Sequence, residues 1–172
     1  EQDNDFGKTP SFAHVSGNVY VMAYQGPSNR GFIKTFTLAD NGTITQIAGD
    51  EHDDAQGMYN SIVKVNGTVY ALAYSGSGNA GYIKTFNISN DGADVEALGQ
   101  AIHQSSGTAY NSLVVADENT IVLTYQGPNY DGYIKTFTVS ANGADITQVS
   151  AVEHAGSQGR YNSLIKMDGD TY

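Results

Sequence analysis

The six-residue stretch GYIKTF occupies positions 81–86, returns unchanged at 132–137 and appears as GFIKTF at 31–36. A second motif, YNS, stands at 59–61, 110–112 and 161–163, so that its copies lie 51 residues apart. A fixed period of this length is typical of repeat architectures, in which one supersecondary unit is copied along the chain. The sequence therefore predicts a single domain over 1–172, with full units at approximately 9–58, 59–109 and 110–160 and an incomplete fourth at 161–172.

Each unit is predicted to contain four β-strands. Apolar residues alternate with polar ones or run together over short stretches, and clusters of Gly, Asn and Asp separate these stretches. In the second unit, we expect strands A to D at 61–65, 69–74, 82–88 and 95–98. Asn-Gly and Asp-Gly pairs predict tight turns between A and B, including 168–169 in the fourth unit, and between C and D. The B–C and D–A connections are then expected to be the longer loops.

Four antiparallel strands repeated about every 50 residues resemble the blades of the β-propeller repeat superfamily, and the resemblance covers the whole chain. It implies an all-β fold of four-stranded antiparallel blades. Trp is absent, so there is no WD dipeptide or tryptophan docking motif, and no Asp-box is present. The resemblance therefore extends to the fold and not to a subfamily. The alternatives are a parallel β-helix, which has shorter rungs, and a β-sandwich, which lacks such self-similarity.

The number of units bears on assembly. Propellers close with about four to eight blades. Three units and the start of a fourth are too few to close such a ring. One explanation is that the chain is part of a longer product whose remainder completes the ring. The other is self-association, because two chains would contribute about seven blades.

Composition limits the partners. The chain has 8 Lys and Arg against 18 Asp and Glu, a net charge of −10, which disfavours nucleic acid as a ligand. No segment has the length and hydropathy needed for insertion into a membrane. Cysteine is absent, which excludes disulfides and thiol chemistry. An acidic composition rich in Gly and Tyr favours an extracytoplasmic or secreted protein.

Two polar positions recur in every unit. The lysines of the GYIKTF motif are interpreted as side chains whose stems pack on aromatic rings while the ammonium meets a carboxylate or carbonyl at the blade edge. The histidines lie just beyond the expected strand D and are interpreted as bonding the backbone of their own loop or the following YNS segment. We predict no metal site and no cofactor. The repeated residues are Lys34, Lys84, Lys135, His52, His103 and His154.

The B–C and D–A loops share one face and supply the functional hypothesis. Their flanking glycines recur, whereas the tips differ: PSNR at 27–30, SGNA at 77–80 and PNYD at 128–131. A fixed frame with variable tips favours a non-catalytic propeller that binds a glycan or a protein through these loops. The alternative is a hydrolase or lyase at the channel mouth, using a histidine with Glu51 or Glu153 as acid and base. The candidate ligand contacts are Arg30, Asp53, Asp54, Tyr130, Asp131 and Arg160.

Overall fold

The computed structural model describes residues 7–167 and confirms the all-β fold of four-stranded antiparallel sheets. The described residues form three such sheets, each with its strands in sequence order, as in a partial β-propeller. The turn expected at 168–169 lies outside the described residues. Blade 1 contains β1 (Lys8–Ser16), β2 (Val19–Gln25), β3 (Gly31–Leu38) and β4 (Ile44–Asp53). Blade 2 contains β5 (Met58–Asn66), β6 (Val69–Ser75), β7 (Gly81–Ile88) and β8 (Val95–Gln104). Blade 3 contains β9 (Ala109–Asp117), β10 (Thr120–Gln126), β11 (Gly132–Val139) and β12 (Ile146–Ala155).

Adjacent blades meet closely at their A strands and diverge toward their D strands. β1, β5 and β9 lie side by side, whereas β4, β8 and β12 barely touch one another. The serine of the YNS motif joins the A strands: Ser61 Oγ accepts a hydrogen bond from the backbone N–H of Leu113 at 2.9 Å. Ser11 accepts the equivalent bond from Ile62 of blade 2 at 3.0 Å, and Ser112 accepts it from Leu164, beyond blade 3, at 2.9 Å. The blades are therefore wedges, and their A strands form the inner side of the fold.

The hydrophobic core lies between blades and not within one sheet. On β6, Tyr70, Leu72 and Tyr74 face blade 1, while the alternate residues Val69, Ala71 and Ala73 face blade 3. Large side chains on one face of a blade thus pack against small ones on its neighbour, and both faces are buried because side chains alternate along a strand. The GYIKTF motif follows the same alternation, with Phe86 toward blade 1 and Ile83 toward blade 3.

Strands A and D are longer than the sequence predicts, and the expected long loops are correspondingly wrong. In blade 2 strand D continues to Gln104, which pairs with Gly81 at the start of strand C. The D–A connection between β4 and β5 is only 54–57, and the B–C connection between β2 and β3 is only 26–30. The C–D turns at 39–43 and 89–94, which were expected to be shorter, are at least as long. Strand D is an edge strand that faces water over most of its length, so it lacks the apolar run by which the other strands are recognised.

The outermost faces of blades 1 and 3 remain uncovered by the described residues. On blade 1 the side chains of Phe12 and Ile44 are 60% and 68% exposed. On blade 3 Val152 is 56% exposed, and Ile165 beyond it is 73% exposed. No helix among residues 7–167 has the length and apolar character needed to cross a membrane.

Candidate functional site

The B–C turns and the D–A connections emerge at the same end of the blades, which we call the B–C rim. Each B–C turn is a single turn of 3-10 helix closed by the same bond, from the N–H of Gly26 to the carbonyl of Arg30 at 2.8 Å and its two equivalents at 2.8 Å. The D–A connection is tied to this turn, because Gly57 N–H donates to the Asn29 carbonyl at 2.8 Å. The rim is a repeated, hydrogen-bonded frame made of 26–30, 76–80, 127–131, 54–57, 105–108 and 156–160.

This frame presents different side chains in each blade. In blade 1 the guanidinium of Arg30 forms an ion pair with Glu51 at 3.2 Å. In blade 3 Tyr130 is 53% exposed, and the guanidinium of Arg160 lies over its ring at 4.2 Å from the centroid. Asp131 follows in the same turn and is half-buried. The structure therefore gathers Tyr130, Asp131 and Arg160 into one patch, and it places Arg30 on the turn of a different blade.

The two acidic candidates of the first D–A connection differ in their surroundings. The Asp53 carboxylate accepts hydrogen bonds from the backbone N–H groups of Ala55 and Gln56 at 3.0 and 2.9 Å. This is the local side-chain to backbone bonding by which aspartate shapes a turn. Asp54 is exposed. Asp53, which is half-buried, consequently holds the connection in shape, and Asp54 is the more exposed of the two.

The repeated histidines lie within the D strands, not beyond them, because these strands are longer than expected. His52 and His103 are buried, each between the strand C glycine of its own blade and a tyrosine of the next. The His52 ring meets Tyr74 edge-on at 4.8 Å, and His103 meets Tyr125 at 4.7 Å. His154 is exposed, because the described residues include no blade beyond blade 3. His52 and His103 therefore act as wedges between blades.

Burial also fixes the protonation of these histidines. Desolvation lowers the pKa of His52 and of His103 from 6.5 to about 3, and the nearby ammonium groups of Lys84 and Lys135 act in the same direction. The nearby Asp53 carboxylate and the Asn60 side chain act in the opposite direction on the pKa of His52, although neither of its ring nitrogens has a partner with hydrogen-bond geometry. Both rings are therefore neutral at neutral pH. Glu51, the expected partner of His52, pairs with Arg30 instead.

The repeated lysines connect one blade to the backbone of the preceding one. The ammonium of Lys84 donates to the His52 carbonyl at 2.9 Å, and Lys135 donates to the His103 carbonyl. The repeated ammonium groups also lie near aromatic rings. That of Lys84 is 5.8 Å from the ring centroid of Phe86, and that of Lys34 is 5.5 Å from the ring centroid of Tyr24. Lys84 and Lys135 thus belong to the junctions between blades.

A row of tyrosines at the inner edge of the B–C rim was not identified as a site from the sequence. Tyr59, Tyr110 and Tyr161 begin the YNS motifs, and their ring centroids are separated by 4.8 and 4.4 Å. We call these three residues the tyrosine ladder. All three have left-handed backbone, with φ of 54°, 55° and 56°. The only signal in the sequence was that an aromatic residue begins every copy of the YNS motif.

The tyrosine ladder lines an open pocket of about 320 Å³. The asparagine after each tyrosine holds the adjoining backbone: Asn60 Nδ2 donates to the Gly57 carbonyl at 2.9 Å, and Asn111 Nδ2 donates to the Tyr59 carbonyl at 3.0 Å. Blade 1 has Thr9 in place of the tyrosine, also at positive φ. The pocket is lined by Thr9, Pro10, Tyr59, Asn60, Tyr110, Asn111, Tyr161 and Asn162. Within residues 7–167, no three His, Asp or Glu side chains are grouped so as to hold a metal ion.

A protein-family model described as "Lactonase, 7-bladed beta-propeller" matches residues 12–163. The chain belongs to this lactonase family. No curated protein matches the lactonase-family chain significantly. Family membership agrees with the three four-stranded sheets formed by residues 7–167, which correspond to part of a propeller.

Two solved structures are similar to the lactonase-family chain. Sqt1 of Saccharomyces cerevisiae matches with a TM-score of 0.60 and 12% identity, over 88% of this chain and 38% of that one. Trypanosoma rangeli sialidase matches with a TM-score of 0.48 and 12% identity, over 83% of this chain and 28% of that one. The likeness to Sqt1 shows the fold alone, and the chain spans well under half the length of either structure.

Proposed function

We propose that the chain is a non-catalytic binding module that recognises a glycan or a protein through the B–C rim. One observation carries the proposal: the three B–C turns have the same backbone and closing hydrogen bond but different exposed side chains. A repeated scaffold with variable tips is a common arrangement for one-sided recognition by repeat proteins. The rigid turns also reduce the conformational entropy that binding would cost.

The patch on blade 3 has the chemistry expected at the centre of such a surface. Tyr130 is half-exposed, and Arg160 lies flat against its ring. Tyr and Arg are enriched among the residues that dominate binding energy, because each combines a large contact area with hydrogen-bonding groups. Stacking on Tyr130 holds the guanidinium in place while leaving its N–H groups available to a ligand.

The state of the histidines supports binding in preference to catalysis. A general base must reach the proton that it removes. His52 and His103 are buried and neutral between blades, and Glu51 is paired with Arg30. The near-identity of the junctions is a further support, since an active site usually breaks the symmetry of a repeat.

A second candidate function, hydrolysis of a lactone at the inner end of the B–C rim, is favoured by membership of the lactonase family. The two candidates are distinguished by turnover. The chain would be incubated with a panel of aliphatic and sugar lactones while proton release is followed. Hydrolysis above the uncatalysed rate, if it is reduced at least tenfold by Tyr110→Ala, would support the second candidate over the first.

The binding proposal is tested with a glycan array and a peptide array probed with labelled chain. We expect at least one ligand whose binding weakens tenfold or more in Tyr130→Ala and in Arg160→Ala. Glu118→Ala, at an exposed residue of an A–B turn on the opposite end of blade 3, is the matched control and should bind as the wild type does. Equal binding by all three variants would refute the proposal that the B–C rim is the recognition surface.

A further inference from the structure

We infer that the tyrosine ladder is a binding site for a neutral oligosaccharide, which lies across the inner edge of the B–C rim. The inference rests on the proposed binding role of that rim and names the class of ligand. It uses a different group of residues from the tips of the B–C turns, so the two proposals can fail separately.

The first argument is the backbone conformation of the ladder. Tyr59, Tyr110 and Tyr161 all have φ near 55°. For a bulky residue this is an outlier, because its Cβ is crowded by the backbone, whereas Gly or Asn would adopt it readily. Strain of this kind is concentrated at ligand-binding sites, where it holds a side chain in a required orientation. A tyrosine kept in such a conformation in three blades indicates that the position of its ring matters.

The second argument is the geometry of the rings. Their centroids are 4.8 and 4.4 Å apart and the ring planes are tilted by 54° and 47°, so Tyr110 packs between the other two rings and the three form a row. Tyr161 is 74% exposed, and Tyr59 and Tyr110 are partly exposed. An extended aromatic surface with a regular interval suits a chain of repeated units that present apolar C–H faces. A cage for a single cation would require rings that surround it.

The third argument is the polarity of the pocket. Its lining contains only Thr, Pro, Tyr and Asn, without a charged side chain. Asn111 is 9% exposed and uses its Nδ2 on the Tyr59 carbonyl, which leaves its Oδ1 without a hydrogen-bond partner. A lining of this kind offers no counter-ion to a ligand carboxylate or sulfate, and the net charge of −10 disfavours acidic glycans.

The inference is tested by isothermal titration calorimetry of the whole chain with cellohexaose, maltohexaose and N-acetylchitohexaose. Oligogalacturonate of similar length serves as the acidic comparison. We expect at least one neutral hexasaccharide to bind, with affinity at least tenfold above that for oligogalacturonate. Tyr110→Ala and Tyr161→Ala should each weaken binding tenfold or more, whereas Tyr110→Phe, which keeps the ring, should remain within about threefold of the wild type.

The far-UV circular dichroism spectrum and thermal midpoint of each variant show whether it folds. Tyr161→Ala keeps the test valid if Tyr110→Ala does not fold, because Tyr161 is largely exposed. If Tyr130→Ala and Arg160→Ala lose binding while both ladder variants bind normally, the ladder inference is wrong and the proposed function stands. If none of the three neutral hexasaccharides binds, or if the acidic one binds as tightly, the ladder inference is likewise overturned. A peptide or charged glycan held by the turn tips would then still support the proposed function.

Discussion

Replacing Gly81 by alanine should destabilise the fold by wedging blades 2 and 3 apart. A Cβ built on Gly81 would lie 2.3 Å from Cε1 and 2.4 Å from Nε2 of His103, and 2.8 Å from Oγ1 of Thr108. The His103 ring has little room to retreat, because it is buried and its other side meets Tyr125 at a centroid distance of 4.7 Å. Overpacking of a filled core costs about 1–3 kcal/mol. We expect the free energy of unfolding to fall by about 2 kcal/mol in Gly81→Ala.

The same chain supplies the matched control. A Cβ on Gly132 would lie 2.4 Å from Cε1 of His154, but His154 is exposed and its ring is free to turn into water. Gly132→Ala should therefore change the free energy of unfolding by less than about 0.5 kcal/mol. Urea unfolding is followed by circular dichroism and by tyrosine fluorescence. Equal losses in the two variants, or no loss in Gly81→Ala, would refute the interpretation of the histidine as a wedge between blades.

A double-mutant cycle isolates the contact itself. His103→Ala opens a cavity and should destabilise the wild type on its own. In the Gly81→Ala background the same truncation removes the clash, so the double variant should lose less stability than the two single losses together. Residues in direct contact commonly show coupling energies of about 0.5–3 kcal/mol. A coupling near zero would mean that the strain in Gly81→Ala arises elsewhere.

Three further predictions concern the junctions between blades. Burial lowers the pKa of His52 and His103 to about 3, so below pH 6.5 the unfolded chain binds more protons than the folded chain does. The free energy of unfolding should therefore be highest above pH 6.5 and should decrease as the pH falls toward 3. Each histidine should lower the free energy of unfolding by ~1.4 kcal/mol per pH unit. In urea titrations between about pH 6.5 and 5, His103→Gln should halve the slope of the free energy of unfolding against pH. An unchanged slope would contradict the prediction. Thr85→Val removes the buried 2.6 Å hydrogen bond from Thr85 Oγ1 to the Gly143 carbonyl in the C–D turn of blade 3, and it should lower the free energy of unfolding by about 1–2 kcal/mol in the same assay. Thr136→Val is the control and should lower it clearly less, because the equivalent bond of Thr136 would reach beyond the described blades. Sedimentation equilibrium at micromolar concentration should show self-association through the exposed outer blade faces that Phe12→Lys weakens, and a strictly monomeric wild type would count against it.

The blades were predictable because their signals are local and repeated. The period of the GYIKTF and YNS motifs locates the units, and the alternation in 82–88 assigns Phe86 and Ile83 to opposite faces, as the structure has them. Strand D was predicted too short because an edge strand in water needs no apolar run. That error placed His103 in a loop, where it would have been accessible, whereas it is buried under a glycine of its own blade.

The tyrosine ladder was missed for a different physical reason. Local propensity assigns Tyr to strands, and nothing in a single sequence reports that Tyr110 has positive φ. The tilted ring contact of Tyr59 with Tyr110 is a contact between blades, so it depends on how far one wedge is rotated from the next. Similarly, the ion pair between Arg30 and Glu51 requires the true length of strand D. Site geometry here depends on tertiary packing, which the repeat pattern alone does not specify.

The central claim is that the B–C rim recognises the ligand, and an NMR titration of the ¹⁵N-labelled chain with the three neutral hexasaccharides tests it most directly. Amide shifts report contacts residue by residue and require no substitution. The account predicts that the largest changes fall on the rim and the ladder, at 26–30, 59–61, 110–112, 127–131 and 156–161. Changes confined to the C–D turns at 39–43 and 89–94, on the opposite end of the blades, would contradict it, whereas no change with any of the three sugars would overturn the oligosaccharide assignment alone.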